Sequence, residues 1–123
     1  MDMKRIDAYV GLTDKNHKPI SESSVKALAR SFVKIAGGFT RQDTHGEWVD
    51  EGTKRKYIEK GYHHIVYGED KDVDAIKAAI KRFLKDSDQK AAVVETSPAT
   101  SELITGEETA LPEEETAVEA AAV

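Results

Sequence analysis

The chain has 123 residues, no cysteine, 18 basic and 23 acidic side chains, and a formal net charge of −5. This length allows one domain and hardly two, and the lack of cysteine excludes disulfides, thiolate nucleophiles and thiolate metal sites. No apolar run approaches the ~20 residues of a membrane-spanning helix, and the first residues form no apolar signal segment. We therefore expect a cytoplasmic protein without a membrane partner.

The acidity is concentrated at the C-terminus. Residues 97–123 contain seven glutamates and no lysine or arginine, whereas residues 1–96 carry 18 basic and 16 acidic side chains. The C-terminal segment has no aromatic residue and few large apolar ones, so it cannot bury enough surface to offset the entropy lost on ordering. The sequence thus predicts a domain over residues 1–96 and a disordered acidic Glu/Ala/Thr tail over residues 97–123.

The first half of the domain predicts a strand, a helix and a second strand. Apolar and polar residues alternate over residues 5–13, which indicates a strand with one face on a core. Ser21 is the expected N-cap of a helix, and Gly37-Gly38 ends that helix because glycine adopts the left-handed conformation at little steric cost. The extended segments that follow are residues 39–44 and 47–49, with a turn predicted at His45-Gly46.

The second half repeats this order with a strand, a helix and a strand. Residues 56–67 are rich in Tyr, Ile and Val, and Gly61 among them indicates a bulge or a close approach of another backbone. Asp70 or Asp72 is the expected N-cap of the second helix. The helix ends at Asp86-Ser87-Asp88, and residues 91–96 form a last short strand.

The order of these elements is that of the ferredoxin-like fold, βαββαβ, of the α+β class. It predicts a four-stranded antiparallel sheet with two helices on one face. The other face then lacks a cover within the chain, and such faces commonly contact another subunit. We therefore expect a homo-oligomer.

Two groups of residues suggest other functions. The basic run Lys54-Arg55-Lys56 beside Tyr57 favours nucleic acid, but the domain is nearly neutral and lacks the aromatic strand motif of ferredoxin-like RNA-binding modules. Nucleic acid is therefore an unlikely partner. His63 and His64 are neighbours on a predicted strand and point to opposite faces, so they cannot chelate one metal ion from the same strand. One of them together with His45 or Glu47 across the hairpin could do so, but we expect a surface or interface histidine instead. We predict no metal site and no cofactor.

The site hypothesis depends on an aromatic residue and a carboxylate. Glu59 follows Trp48 by eleven residues, across a turn that contains Gly52. If the two lie on paired strands, both border one pocket, where the carboxylate accepts hydrogen bonds from an ammonium group and the indole face attracts a cation. Tyr57 and Tyr62 are the further candidates for ligand contact. The alternative is that Trp48 packs in a subunit contact and Glu59 is a solvated strand residue.

At these residues the chain resembles the small phage-encoded S-adenosylmethionine lyases, which degrade the methyl donor and so blunt host restriction. The resemblance covers about residues 5–96 as a pattern of elements. Its features are a first strand ending near Gly11-Leu12, a capped helix ended by glycine, Trp48 with Glu59 eleven residues on, a β run over residues 62–66, an Ala-rich second helix and a last strand with Val93-Val94.

The resemblance implies a trimer in the host cytoplasm with the ligand between subunits, in which Glu59 is the catalytic residue and holds the ammonium group of the substrate. The implied reaction cleaves S-adenosylmethionine to methylthioadenosine and homoserine lactone. The family has a tyrosine at the position of Trp48, and tryptophan lacks its hydroxyl; Tyr57 and Tyr62 are the candidates to replace it. The competing hypothesis is a binding protein without activity, either a sponge for a nucleotide signal or an inhibitor of a host protein.

Overall fold

The computed structural model describes residues 3–106. The elements follow in the order β1 (Met3–Gly11), α1 (Glu22–Ala36), β2 (Thr40–Val49), β3 (Lys56–Glu69), α2 (Asp70–Asp86) and β4 (Val93–Ala99). The strands form one antiparallel sheet in the order β2-β3-β1-β4. The predicted ferredoxin-like fold is confirmed. No helix within residues 3–106 is long and apolar enough to cross a membrane.

One hydrophobic core lies between the sheet and the two helices. Alternate residues of β1 point into it, since side chains on a strand alternate between faces. Ile6, Ala8 and Val10 are all buried, and so are Phe32 of α1 and Ile76 of α2. The other buried apolar residues are Leu28, Val66, Ala79, Ile80 and Phe83. Neither helix covers the opposite face of the sheet, which is called the open face below.

Helix α1 begins and ends where the sequence predicts. Ser21 is the N-cap, and its Oγ accepts a hydrogen bond from the amide of Ser24 at 3.3 Å. At the other end Gly37 adopts the left-handed conformation with φ of 89°, and its amide donates to the carbonyl of Val33 at 2.8 Å. Both ends therefore satisfy backbone groups that a helix leaves without partners.

We expect Ser21→Ala to lower the free energy of unfolding by about 1 kcal/mol, because the amide of Ser24 loses its side-chain acceptor. For a domain of this size the melting temperature then falls by about 4–8 °C. Thermal unfolding followed by circular dichroism measures the change. Ser23→Ala is the matched control, since the Ser23 hydroxyl contacts the Ser21 hydroxyl and caps no amide. Equal losses in the two variants would contradict the capping role.

Two local predictions are wrong. β2 continues through His45-Gly46 without a turn, because Gly46 pairs with Glu59 inside the strand ladder. The N-cap of α2 is Glu69 rather than Asp70 or Asp72. Asp72 instead is the third residue of the helix, and its Oδ2 accepts from the amide of Glu69 at 2.9 Å. This is the reciprocal half of a capping box.

The last strand ends later than the predicted residue 96. β4 continues to Ala99, which pairs with Met3 of β1. Pro98 fits there because β4 is an edge strand, where one side of the backbone needs no ladder bond. Residues 107–123, most of the predicted tail, lie outside the described residues, and the disorder of that segment stays a prediction.

A histidine is buried in the core. His64 lies on the helix side of β3, with its ring centroid 5.2 Å from that of Phe32. Arg41 Nε donates to His64 Nε2 at 3.2 Å, so the neutral ring carries its hydrogen on Nδ1. Burial, assisted by the nearby charge of Arg41, lowers the pKa of His64 to about 4. The core thus contains a neutral imidazole at neutral pH.

Candidate functional site

The hairpin of β2 and β3 places the predicted aromatic residue and carboxylate on one face. Trp48 pairs with Tyr57, and Gly46 pairs with Glu59. Because alternate residues of a strand share a face, Trp48, Tyr57 and Glu59 all lie on the open face. The rings of Trp48 and Tyr57 stack with centroids 4.8 Å apart, and 43% of Trp48 remains exposed.

Tyr62, the other tyrosine that the sequence analysis proposed for ligand contact, lies apart from these residues. It lies an odd number of positions from Tyr57 and Glu59, so alternation directs it to the helix side of the sheet. There it packs against the core, and the guanidinium carbon of Arg41 lies 4.4 Å from its ring centroid. Tyr62 and Trp48 therefore lie on opposite faces of the sheet.

The loop after β1 brings His17 to the site, a residue that sequence reasoning missed. Its ring stacks on Tyr57 with centroids 4.2 Å apart and planes within 8°. Asp14 holds the loop, since its Oδ1 accepts from the amides of Asn16 at 2.8 Å and Lys18 at 3.0 Å. An aspartate before asparagine signals such a turn, but no local pattern links this loop to β3. His17, Trp48 and Tyr57 are called the aromatic trio below.

Glu59 carries a carboxylate that pairs with no cationic side chain within residues 3–106. Thr13 Oγ1 donates a hydrogen bond to Glu59 Oε2 at 3.2 Å. A partly buried carboxylate with one neutral donor retains capacity for charge-assisted hydrogen bonds, which are the strong ones. The Glu59 carboxylate can therefore accept hydrogen bonds from a positively charged ligand.

Two open cavities meet at Glu59. The first has a volume of about 310 Å³ and a floor of Gly11, Gly46 and Gly61; it is called the glycine-floored cavity. The second has a volume of about 320 Å³ and is called the charged cavity. The side chains that characterise its lining are Asp14, Lys15, His17, Trp48, Asp50 and Lys90. Glu59 borders both cavities, together with Gly11 and Ala91.

The three floor glycines differ in what a side chain would meet. A Cβ at Gly61 would lie 2.5 Å from the carbonyl oxygen of Val10, so the close backbone approach predicted at this glycine is confirmed. A Cβ at Gly11 would lie 3.3 Å from Glu59 Oε2. A Cβ at Gly46 would meet nothing nearer than the carbonyl oxygen of Glu59 at 3.7 Å, an ordinary contact. Gly61 is therefore required by packing, whereas Gly46 is not.

A buried ionic cluster supports one wall of the glycine-floored cavity. Asp7 Oδ1 lies 2.6 Å from His63 Nε2, and Arg5 Nε donates to Asp7 Oδ2 at 3.0 Å. The hydrogen bond from Arg5, with a further one from His63, outweighs burial and lowers the pKa of Asp7. The ring of Tyr9, which lines the cavity, stacks on His63 with centroids 4.3 Å apart. The ionised carboxylate thus fixes His63, and His63 supports Tyr9.

The two neighbouring histidines and the basic run are the sequence features considered for metal and nucleic-acid binding. His63 and His64 point to opposite faces of β3, as strand alternation requires, and no group of three or more His, Asp or Glu side chains within residues 3–106 is placed to hold a metal ion. The basic run lies at the end of the hairpin. There Lys54 pairs with Glu51 at 3.7 Å and Lys56 with Glu47 at 2.8 Å, which reduces its positive charge.

No protein-family model matches the sequence, and no curated protein matches it. Among solved structures, the fold is similar to that of a phage SAM lyase in complex with S-methyl-5'-thioadenosine. The TM-score is 0.61 at 15% identity, over 78% of this chain and 81% of that chain. A phage SAM lyase in the apo state gives a TM-score of 0.59 at 19% identity, over 79% of this chain and 81% of that chain.

Other small proteins share the fold to a lesser degree. A GlnK–ATP complex from B. subtilis gives a TM-score of 0.54 at 14% identity, over 80% of this chain and 84% of that chain. CutA from Synechococcus elongatus gives 0.50 at 14% identity, over 81% of this chain and 80% of that chain. The resemblance to the phage lyases is therefore confirmed as a likeness of fold, which several different proteins share.

Proposed function

We propose that the protein binds S-adenosylmethionine at Glu59 and cleaves it to methylthioadenosine and homoserine lactone. The observation that carries the proposal is the carboxylate of Glu59, which has no cationic partner within the described residues and lies where two cavities meet. The exposed indole of Trp48 borders the charged cavity beside it. A carboxylate and an aromatic face together favour a ligand that carries positive charge.

Each end of this ligand has a chemical counterpart at the site. The ammonium group donates hydrogen bonds to Glu59, while Thr13 orients that carboxylate from the opposite side. The aromatic trio offers ring surface to the cationic part of the ligand. Lys90 in the charged cavity offers positive charge to the ligand's own carboxylate, whereas Lys15 pairs with Asp88 at 3.4 Å. The site thus complements a zwitterionic amino-acid group as well as the sulfonium charge.

The reaction requires the protein to position the substrate, and it requires no protein nucleophile. One oxygen of the substrate carboxylate attacks the γ-carbon, the bond from that carbon to sulfur breaks, and its electron pair stays on sulfur. The products are homoserine lactone and neutral methylthioadenosine, and no proton is transferred. Holding the attacking oxygen, carbon and sulfur in line supplies up to about 7–11 kcal/mol in favourable cases. Glu59 supplies part of this alignment by fixing the ammonium group.

We further propose that the site lies between protomers of a homo-oligomer, with a trimer favoured. Both cavities open on the face of the sheet that neither helix covers, so a neighbouring protomer is needed to exclude water from them. Size-exclusion chromatography with light scattering tests this. A trimer is the expected result, and a monomer at micromolar concentration would contradict a shared site.

The substrate is an intracellular metabolite, so we place the protein in the cytoplasm, which is the host cytoplasm if the chain is phage-encoded. Consumption of the methyl donor there would blunt restriction systems that depend on it. This biological role follows from the proposed reaction alone.

A second candidate is a binding protein that traps a nucleotide-like ligand without turnover. The observation that favours it is the indole at position 48, which offers no hydroxyl. Tyr62 lies on the other face, and Tyr57 is stacked within the aromatic trio. The likeness of fold to a GlnK–ATP complex supports nucleotide binding on this architecture. Inhibition of a host protein through the open face belongs to the same class of function.

Incubation of the purified protein with S-adenosylmethionine, followed by mass spectrometry, separates these candidates. We expect methylthioadenosine and homoserine lactone to accumulate in equal amounts, since one bond breaks in each substrate molecule. Tight binding of the substrate without products would favour the trapping protein. Neither binding nor products at high protein concentration would overturn the proposal.

A further inference from the structure

The two cavities beside Glu59 differ in charge. The charged cavity contains carboxylates and lysines, as described above. In the glycine-floored cavity, the side chains that point inward apart from Glu59 are uncharged. His45 and Lys60 also border it, but they lie on the helix side of the hairpin by alternation and contribute backbone. A ligand that spans both cavities therefore meets a polar, ionic half and a neutral half.

The shape of the glycine-floored cavity also differs from an ordinary sheet surface. Gly11, Gly46 and Gly61 lie on three adjacent strands. The space above Gly46 is open, whereas the Glu59 carboxylate lies over Gly11 and the Thr44 hydroxyl lies close to Gly61. Tyr9, Thr44 and Val93 rise around this floor, and Tyr9 is held in place by the cluster of Arg5, Asp7 and His63. A cavity lined by an aromatic and an aliphatic side chain, with no inward charge apart from Glu59, suits a planar ring system without charge.

We propose that the glycine-floored cavity binds the nucleoside part of the ligand, and that Gly46 sets the space available to its purine ring. The amino-acid end then lies in the charged cavity, and Glu59 holds its ammonium group at the boundary between the two cavities. This assignment rests on the proposed function for the class of ligand. It adds a binding subsite and a residue that determines specificity.

Gly46 makes the subsite testable because a side chain there costs the fold little. A Cβ at this position meets only an ordinary contact at 3.7 Å, and the residue lies in the edge strand β2. Alanine at position 46 therefore adds a Cβ without displacing backbone, and valine adds two further methyl groups to the cavity. Gly38→Ala is the matched control, because a Cβ there meets no atom within 4 Å and the position lies outside both cavities.

Isothermal titration calorimetry with methylthioadenosine, a neutral nucleoside, measures this subsite on its own. We expect Gly46→Ala to weaken its binding roughly tenfold, and Gly46→Val to weaken it further, because each added methyl group occupies ring space. Gly38→Ala should bind as the wild type does. Thermal unfolding confirms that each variant is folded. Unchanged affinity in both Gly46 variants would overturn the subsite.

Glu59→Gln separates a failure of the subsite from a failure of the proposed function. We expect this variant to bind methylthioadenosine within about threefold of the wild type and to lose affinity for S-adenosylmethionine, since only the latter carries an ammonium group. If the wild type binds S-adenosylmethionine through Glu59 but the Gly46 variants retain methylthioadenosine, the proposed function stands and the subsite is wrong. If the wild type binds neither compound, both proposals are wrong.

Discussion

Glu59→Gln is expected to weaken binding of S-adenosylmethionine by roughly 10- to 100-fold and to reduce product formation at least as much. The substitution keeps the shape of the side chain and its acceptor for Thr13, but it removes the charge that the ammonium group requires. A hydrogen bond to a charged group contributes about 1.5–3 kcal/mol, and each 1.4 kcal/mol is a factor of ten. Calorimetry measures the affinity, and mass spectrometry of methylthioadenosine measures the turnover.

Glu47→Gln is the control for this prediction. Glu47 lies on the same hairpin but on the opposite face, where Lys56 Nζ and His45 Nε2 each lie 2.8 Å from its carboxylate. Its replacement changes the net charge by the same amount as Glu59→Gln and leaves both cavities intact. A loss of activity in the Glu47 variant equal to that in the Glu59 variant would show that the overall charge matters, rather than the carboxylate at the site.

The second large effect is the pH dependence of stability from His64. Its pKa falls from 6.5 to about 4 on folding, so between these values the unfolded chain binds a proton that the folded chain does not. The proton uptake therefore does not lower the free energy of unfolding above pH 6.5, and it lowers this free energy progressively as the pH falls from 6.5 toward 4. At 1.36 kcal/mol per pKa unit, urea denaturation at pH 7 and at pH 4.5 should differ by about 2–3 kcal/mol.

Two variants isolate this contribution. His64→Phe keeps a ring among Phe32, Phe39 and Tyr62 but has no group that titrates, so its stability should change little over the same pH interval. Removal of the exposed His45 should preserve the dependence of the wild type. The lowered pKa of Asp7 acts in a different window, because its contribution is lost only as the pH falls below the ordinary value of 3.8. If the free energy of unfolding of His64→Phe depends on pH as strongly as that of the wild type, groups other than His64 cause the dependence.

The fold was predictable because each element has a local signal. The alternation that begins β1, the cap at Ser21 and the glycine at Gly37 depend on neighbouring residues alone. The errors occurred where a local signal is ambiguous. Glycine after histidine is typical of a turn, but Gly46 lies inside the ladder of β2 and β3. Aspartate is favoured both as an N-cap and at the third position of a capping box, where Asp72 lies.

The site was predictable only in part, because it depends on register. Once Trp48 is known to pair with Tyr57, Glu59 must share their face and Tyr62 must not. The sequence indicates a hairpin here but does not define which residues pair across its loop. His17 and Thr13 reach Tyr57 and Glu59 from a loop more than 35 residues away in the chain, and no periodic pattern reports contacts between such distant segments.

The open space above Gly46 has a consequence for which substitutions can change the range of accepted ligands. Glycine has no side chain, so any substitution at position 46 only adds atoms to the cavity. Under the proposed subsite, we expect each larger side chain at this position to exclude further nucleosides. Saturation mutagenesis at position 46, screened against a panel of nucleosides, would display this exclusion as nested sets of accepted compounds.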